Sequence, residues 1–283
     1  MSQNHFTISF PLKSPADAKA VAGRLPPLMP DLFKAQDSIG TIHYSRFTVL
    51  SEKTLLFLGD FDGEFGELMS ELAKSAGPVF DAIFQYVDGP PPIPVADNLD
   101  AFAEWAGEHL VSALNLYTAY PGVTAKEIKA LAASADATGA TEQRPFLVVL
   151  PIKSKLAFVE VQLLLRARGR GTTKDLDKVG TPHFAQFVAL EDNQIGFFTA
   201  YDGTFDTYIA DFTKNIGQVF DLLFKFTKGA PPSPVRKHLQ EFINFAAGAN
   251  RAPIGFYSAY PGLSVQDVHA LIADSKSQSA SAS

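Results

Sequence analysis

Gly40-Thr-Ile-His-Tyr-Ser-Arg-Phe47, which runs on to Phe61-Asp-Gly63, occurs twice in this chain. At a shift of 140 residues it returns as Gly180-Thr-Pro-His-Phe-Ala-Gln-Phe187 and Tyr201-Asp-Gly203. The same shift carries Tyr117-Thr-Ala-Tyr-Pro-Gly122 onto Tyr257-Ser-Ala-Tyr-Pro-Gly262, and Pro11, Lys13 and Ser14 onto Pro151, Lys153 and Ser154. A fixed offset kept from end to end is a tandem duplication, and it sets the frame for every later reading. It divides the chain into repeat 1 (1–135), repeat 2 (144–274) and a Ser/Ala tail (275–283) expected to be disordered.

Each repeat reads as the same series of elements. Phe6 to Leu12 and Phe146 to Ile152 are short apolar runs closed by proline, the pattern of a strand. Helical patterns follow at Asp17–Leu25 and Leu156–Arg166, the first stopped by Pro26-Pro27. Thr41–Leu50 and Leu55–Phe61 form a hairpin about a short polar connector, as do Thr181–Leu190 and Ile195–Tyr201. Phe65, Leu68, Met69 and Leu72 then recur at i, i+3, i+4 and i+7, as do Phe205, Tyr208, Ile209 and Phe212, which makes one apolar helix face. Gly77-Pro78 is expected to break or bend the first of these. Pro-rich connectors lead to a further helix whose buried face is Leu99, Phe102, Ala103 and Ala106, or Leu239, Phe242, Ile243 and Ala246. A last strand (Ala113–Tyr120, Ile254–Tyr260) ends in a Pro-Gly turn before a closing helix. Thr124 with Glu127 has capping-box spacing at its start.

Composition limits the function. With 283 residues, 46% of them hydrophobic, the chain can bury a core in each repeat. A net charge of −6 with scattered Lys and Arg gives no footprint for nucleic acid. No apolar stretch is long enough to span a bilayer, so no membrane role is expected. The chain has no cysteine, which removes thiolate nucleophiles and Cys-based metal sites. A cytoplasmic location is expected. No phosphate-binding glycine loop, nucleophile elbow or His-Glu-Xaa-Xaa-His zinc motif occurs. The 24 Phe suit a broad sheet-on-helix core, or the lining of an apolar cavity.

Strand–helix–strand–strand–helix–(helix)–strand is the order of a ferredoxin-like unit, an antiparallel sheet with helices on one face. The fold class expected is therefore α+β, two tandem ferredoxin-like repeats whose antiparallel sheets pack on each other as a barrel. In element order and duplication the chain resembles the dimeric α/β-barrel superfamily in its single-chain form. Gly59-Asp-Phe-Asp-Gly63 is similar to the Gly-Xaa-Xaa-Asp-Gly signature of the dye-decolourising peroxidases. That superfamily also holds cofactor-free monooxygenases and proteins without known activity.

The candidate site residues come from the hairpin and from divergence between the repeats. Folding the hairpin about its connector sets His43 opposite Asp62 and Ser45 opposite Asp60, and His183 opposite Asp202. A His–Asp pair can fix an imidazole tautomer for base or ligand work. Both repeats carry it, however, and Asp62 and Asp202 stand where a helix begins, which favours a capping role. Ser45, Arg46, Asp60, Glu108, His109 and Asn115 become Ala185, Gln186, Ala200, Gly248, Ala249 and Gly255, so repeat 1 is the more polar copy. His5, His238 and His269 have no partner that can be named from sequence.

The resemblance implies a haem-dependent, peroxidase-like oxidoreductase. Asp60 or Asp62 and Arg46 would lie on the distal side, His183 would bind iron, and Arg46 and His109 would contact propionates. The residues leave three alternatives open: a binder of a small apolar ligand, a cofactor-free monooxygenase with a base such as His43, and an assembly protein using an exposed sheet edge. A small-molecule substrate or ligand is the expected partner, and the oligomeric state is left open.

Overall fold

The computed structural model describes residues 2–281, and the side chains of 2–168 and 176–278. Repeat 1 supplies β1 (Gln3–Pro11), α1 (Pro15–Arg24), α2 (Met29–Ile39), β2 (Ile42–Ser51), β3 (Thr54–Asp62), α3 (Phe65–Phe84), α4 (Leu99–Glu108), β4 (Tyr117–Thr118) and α5 (Ala125–Ser134). Repeat 2 supplies β5 (Gln143–Pro151), α6 (Lys155–Asp177), β6 (Pro182–Leu190), β7 (Gln194–Asp202), α7 (Phe205–Phe224), α8 (Leu239–Ala249), β8 (Ile254–Ser258) and α9 (Val265–Ser281). The fold is α+β, with two four-stranded antiparallel sheets ordered β1-β3-β2-β8 and β4-β6-β7-β5.

The compact units do not coincide with the sequence repeats. One unit holds residues 1–111, 122–130 and 252–260, and the other holds 112–121, 131–251 and 261–283. Each repeat therefore gives its last strand to the sheet built on the other repeat's hairpin. After α4 the chain pairs briefly with the outer edge of β1, Ser9 N–H to His109 O at 2.9 Å and Val111 N–H to Thr7 O at 2.7 Å. That edge is then occupied. Leu114 N–H donates instead to Phe187 O at 2.7 Å, in the sheet of the other unit.

In the first unit Phe6, Phe57 and Phe10 turn to the helices, with ring centroids 6.5 Å from Phe65, 5.8 Å from Phe80 and 5.7 Å from Phe84 respectively. Trp105 of α4 completes this layer. Its ring lies 5.1 Å from Phe10 and 4.9 Å from Phe84, and its Nε1–H donates to Gly89 O at 2.9 Å. Gly59 serves the packing: a Cβ there would fall 2.6 Å from Tyr44 O and 2.8 Å from the Phe6 ring. The glycine shared with the peroxidase signature thus makes room for Phe6. Gly40 ends α2 at φ 72, a left-handed cap that glycine adopts without strain.

In the second unit Phe245 stands where Trp105 stands in the first. A small apolar void opens beside it, lined by Phe146, Phe197, Phe212, Phe220 and Phe242 among others. Phe245→Trp is expected to fill the void and let the indole reach Gly229, the counterpart of Gly89. The gain should be about 0.5–2 kcal/mol, read as a higher urea midpoint. An unchanged or lower midpoint would show that the void cannot admit the larger ring.

Several expectations change. The break or bend expected at Gly77-Pro78 is present as a kink one residue earlier, at Ala76, with φ −129 and ψ 19. A second helix, α2, follows Pro26-Pro27, whereas α6 runs unbroken through the same region of repeat 2. Residues 275–281, read from sequence as a disordered tail, continue α9, and 282–283 lie outside the described residues. The hairpin register also differs from the expectation. Strand pairing sets Tyr44 opposite Asp60 and Ser45 opposite Gly59, one residue off the expected pairing of Ser45 with Asp60, with irregularities between Val49 and Ser51 and between Ile42 and Tyr44. The second hairpin repeats the shift, with Phe184 opposite Ala200. An extra residue on one strand re-aims the side chains beyond it.

Candidate functional site

The irregularity between Ile42 and Tyr44 falls at His43. Its Nε2 lies 3.0 Å from Asp62 Oδ1 and its Nδ1 2.9 Å from the Tyr260 hydroxyl. Asp62 Oδ2 accepts from Ala125 N–H at 2.8 Å. In the second unit His183 Nε2 lies 2.8 Å from Asp202 Oδ1, its Nδ1 3.0 Å from the Tyr120 hydroxyl, and Asp202 Oδ2 accepts from Val265 N–H at 2.8 Å. Asp62 and Asp202 thus cap helices, as their position suggested, but these are α5 and α9 rather than the helices that follow their own strands. Each cluster joins a hairpin, the end of an incoming strand at its Tyr-Pro-Gly turn, and the start of a helix. With the carboxylate ionised, the imidazole N–H donates to it and the other ring nitrogen accepts the tyrosine proton, so every polar atom is satisfied. Two buried copies with one geometry are what a structural staple requires.

A different group exists in the first unit alone. Along β1, Phe6, Ile8 and Phe10 face the helices, so strand alternation turns His5 and Thr7 to the opposite face of the sheet. Asp60 on β3 and Tyr44, Arg46 and Thr48 on β2 share that face. His5 Nδ1 lies 3.1 Å from Asp60 Oδ1, and its Nε2 lies 2.7 Å from Thr7 Oγ1. The His5 side chain is 1% exposed and that of Asp60 7%. An ionised Asp60 takes the Nδ1 proton of His5, which leaves Nε2 to accept from the Thr7 hydroxyl. The three side chains form a chain of hydrogen bonds from hydroxyl to imidazole to carboxylate. His5 is the member that sequence reasoning passed over, because its place near the terminus hid the pairing of Gln3–Pro11 along the whole of β3.

Arg46 stands beside this chain, one diagonal step from Asp60 across the β2–β3 pair. It is buried, and burial pulls its pKa down to about 10 while the Asp60 carboxylate pulls it back up. The guanidinium is therefore charged at neutral pH. Holding it there costs folding on the order of 3 kcal/mol, at 1.36 kcal/mol for each unit of displacement from 12.5. The second unit avoids that cost. Pro145, Leu147, Ala200 and Gln186 replace His5, Thr7, Asp60 and Arg46.

The remaining sequence candidates lie elsewhere. Ser45 turns to the helices and donates to Gln36 Oε1 at 3.0 Å. His109 stacks on Trp105, ring centroids 4.1 Å apart, with Nδ1 donating to Trp105 O at 2.8 Å. Glu108 is exposed, and Asn115 accepts from Phe187 N–H at 2.8 Å in the second unit. Of the expected site residues, the structure brings together Arg46 and Asp60 in one place, His43 and Asp62 in another. Among the described residues, no three His, Asp or Glu side chains converge as a metal-ligand set. No described helix is long and apolar enough to cross a membrane.

Comparison with known proteins adds little to this geometry. No protein-family model matches the sequence, and no curated protein matches it. Solved structures with some likeness include a "putative monooxygenase" from Fusobacterium nucleatum, at 8% identity and TM-score 0.41, covering 93% of this chain and 97% of the other. A second "putative monooxygenase", from Lactobacillus acidophilus NCFM, gives 7%, 0.33, 93% and 99% in the same order. An "anthrone oxidase-like protein" gives 11%, 0.30, 93% and 95%.

Proposed function

We propose that this chain is an oxidoreductase of the cofactor-free monooxygenase kind, acting on an aromatic substrate with an ionisable phenol or enol. The observation that carries the reading is the buried Thr7–His5–Asp60 chain beside Arg46, present in one unit and replaced by apolar or neutral groups in the other. A substrate that gives up a proton to a positioned base becomes an electron-rich anion, and such an anion reacts with O2 directly. His5 is the base, reached through the Thr7 hydroxyl. Asp60 fixes its tautomer and stabilises the imidazolium that forms. Arg46 supplies a fixed positive charge where the oxyanion develops. The overall reaction balances as substrate-H2 plus O2 giving the oxygenated (C=O) product and water.

The haem reading fits the residues less well. The iron ligand it needs, His183, has both ring nitrogens engaged, by Asp202 and by Tyr120. His109, its expected propionate contact, is stacked on Trp105.

The test is oxygen uptake by the purified chain with anthrone as probe, measured with and without a chelator. Enzyme-dependent uptake is expected, falling at least about a hundredfold in His5→Ala, as loss of a general base does. The reading is overturned by uptake no faster than the uncatalysed background, or by a His5→Ala variant as active as the parent.

A further inference from the structure

The large apolar side chains that remain exposed divide between two places. On α6, Leu156, Val159 and Leu163 are 70%, 52% and 60% exposed. They stand at i, i+3 and i+7, so they form one continuous stripe along the helix. Lys155 and Arg166, both exposed, sit one turn from Val159 and from Leu163 and rim the stripe on one side, with Glu160 on the other. Repeat 1 has no such stripe, since its counterparts are Ala16, Lys19 and Gly23.

The other place is α4. Asp100, Glu104 and Glu108 are exposed and recur at i, i+4 and i+8, an acidic row along the outer face. Ile93, 50% exposed, precedes the helix, and Leu110, 37% exposed, follows it. The counterparts in repeat 2 are Gln240, Asn244 and Gly248, all uncharged. The repeats have thus diverged in opposite senses, one gaining an acidic helix with apolar ends and the other a basic-rimmed apolar helix.

We propose that the chain associates with a second copy of itself, α6 of one copy laid against α4 of the other. Charge complementarity selects this occupant: Lys155 and Arg166 meet the Asp100–Glu104–Glu108 row while the aliphatic stripe is withdrawn from water. The matched surfaces differ from each other, so the contact is isologous only when it is made reciprocally, and heterologous when it is made once per pair. It closes as a dimer when made twice across a twofold axis and otherwise extends copy by copy. The surfaces are small, so the association is weak and dependent on concentration and salt.

Sedimentation velocity of the full chain across the micromolar range tests this. Association is expected to increase with concentration and to weaken with added salt. Val159→Lys should weaken it at least about tenfold, and so should Glu104→Lys. Reversing the whole row, with Asp100→Lys, Glu104→Lys and Glu108→Lys combined with Lys155→Glu and Arg166→Glu, should restore it. A chain that stays monomeric at every concentration, or a Val159→Lys variant that associates like the parent, overturns the proposal. So does a monomer that instead binds vesicles of anionic lipid through α6, because the stripe then belongs to a membrane surface.

Discussion

Asp60→Ala is expected to destabilise the chain by about 3–5 kcal/mol, the cost of removing one partner from a buried charge pair. The carboxylate receives the His5 N–H and offsets the Arg46 charge, and both groups are buried. Without it, a charged guanidinium remains in a place that already opposes its charge. The paired substitution Arg46→Gln with Asp60→Ala should recover the part of the loss that comes from the uncompensated charge, leaving the cost of the His5 N–H without its acceptor. It installs the residues that the second unit carries at Gln186 and Ala200, an uncharged pair. Urea denaturation of the parent, the single variant and the paired variant reads both effects. A paired variant as unstable as the single one would mean that Asp60 does not serve as the counter-charge. A paired variant that is stable and also keeps full oxygen uptake would leave the charge pair without a role in catalysis.

The second large effect belongs to the staples. Asp62→Ala leaves the His43 ring N–H and the Ala125 amide N–H buried without their acceptor, each at about 1–3 kcal/mol. Asp202→Ala does the same to His183 and Val265. The two variants are expected to lose similar stability, about 2–5 kcal/mol each. Equality is the informative outcome. A staple present twice should matter twice, whereas a catalytic carboxylate at one of the two positions would be cheap to remove for folding and costly for activity. Denaturation curves that differ strongly between the variants, or oxygen uptake lost in one of them while its fold persists, would return His43 to the list of candidate bases.

Much of the fold was legible in the residues. The offset linking His43 to His183 and Tyr120 to Tyr260 showed the duplication. Proline-closed strands, the polar hairpin connectors and the i, i+3, i+4, i+7 spacing gave the order of elements. Divergence between the repeats pointed to Arg46 and Asp60, which the structure places together on one buried face. The same comparison could not separate them from Glu108, which is exposed, or from Ser45, which faces the helices. Residue identity does not carry the face of a helix or sheet that a side chain takes, which for Ser45 follows from the hairpin register.

The duplicated pattern by itself determined that there are two α+β repeats and that repeat 1 is the more polar copy, because hydrophobic periodicity and residue identity are local properties. Tertiary structure decided the rest. Exchange of the last strands brings Tyr260 to His43, a pairing separated by 217 residues, and the hairpin register decides which face of the sheet Ser45 and Arg46 take. The pairing of β1 with β3 carries His5 from an apparently loose terminus to Asp60. These are contacts between segments distant in the chain, and they are fixed by which backbone edges remain open for hydrogen bonding.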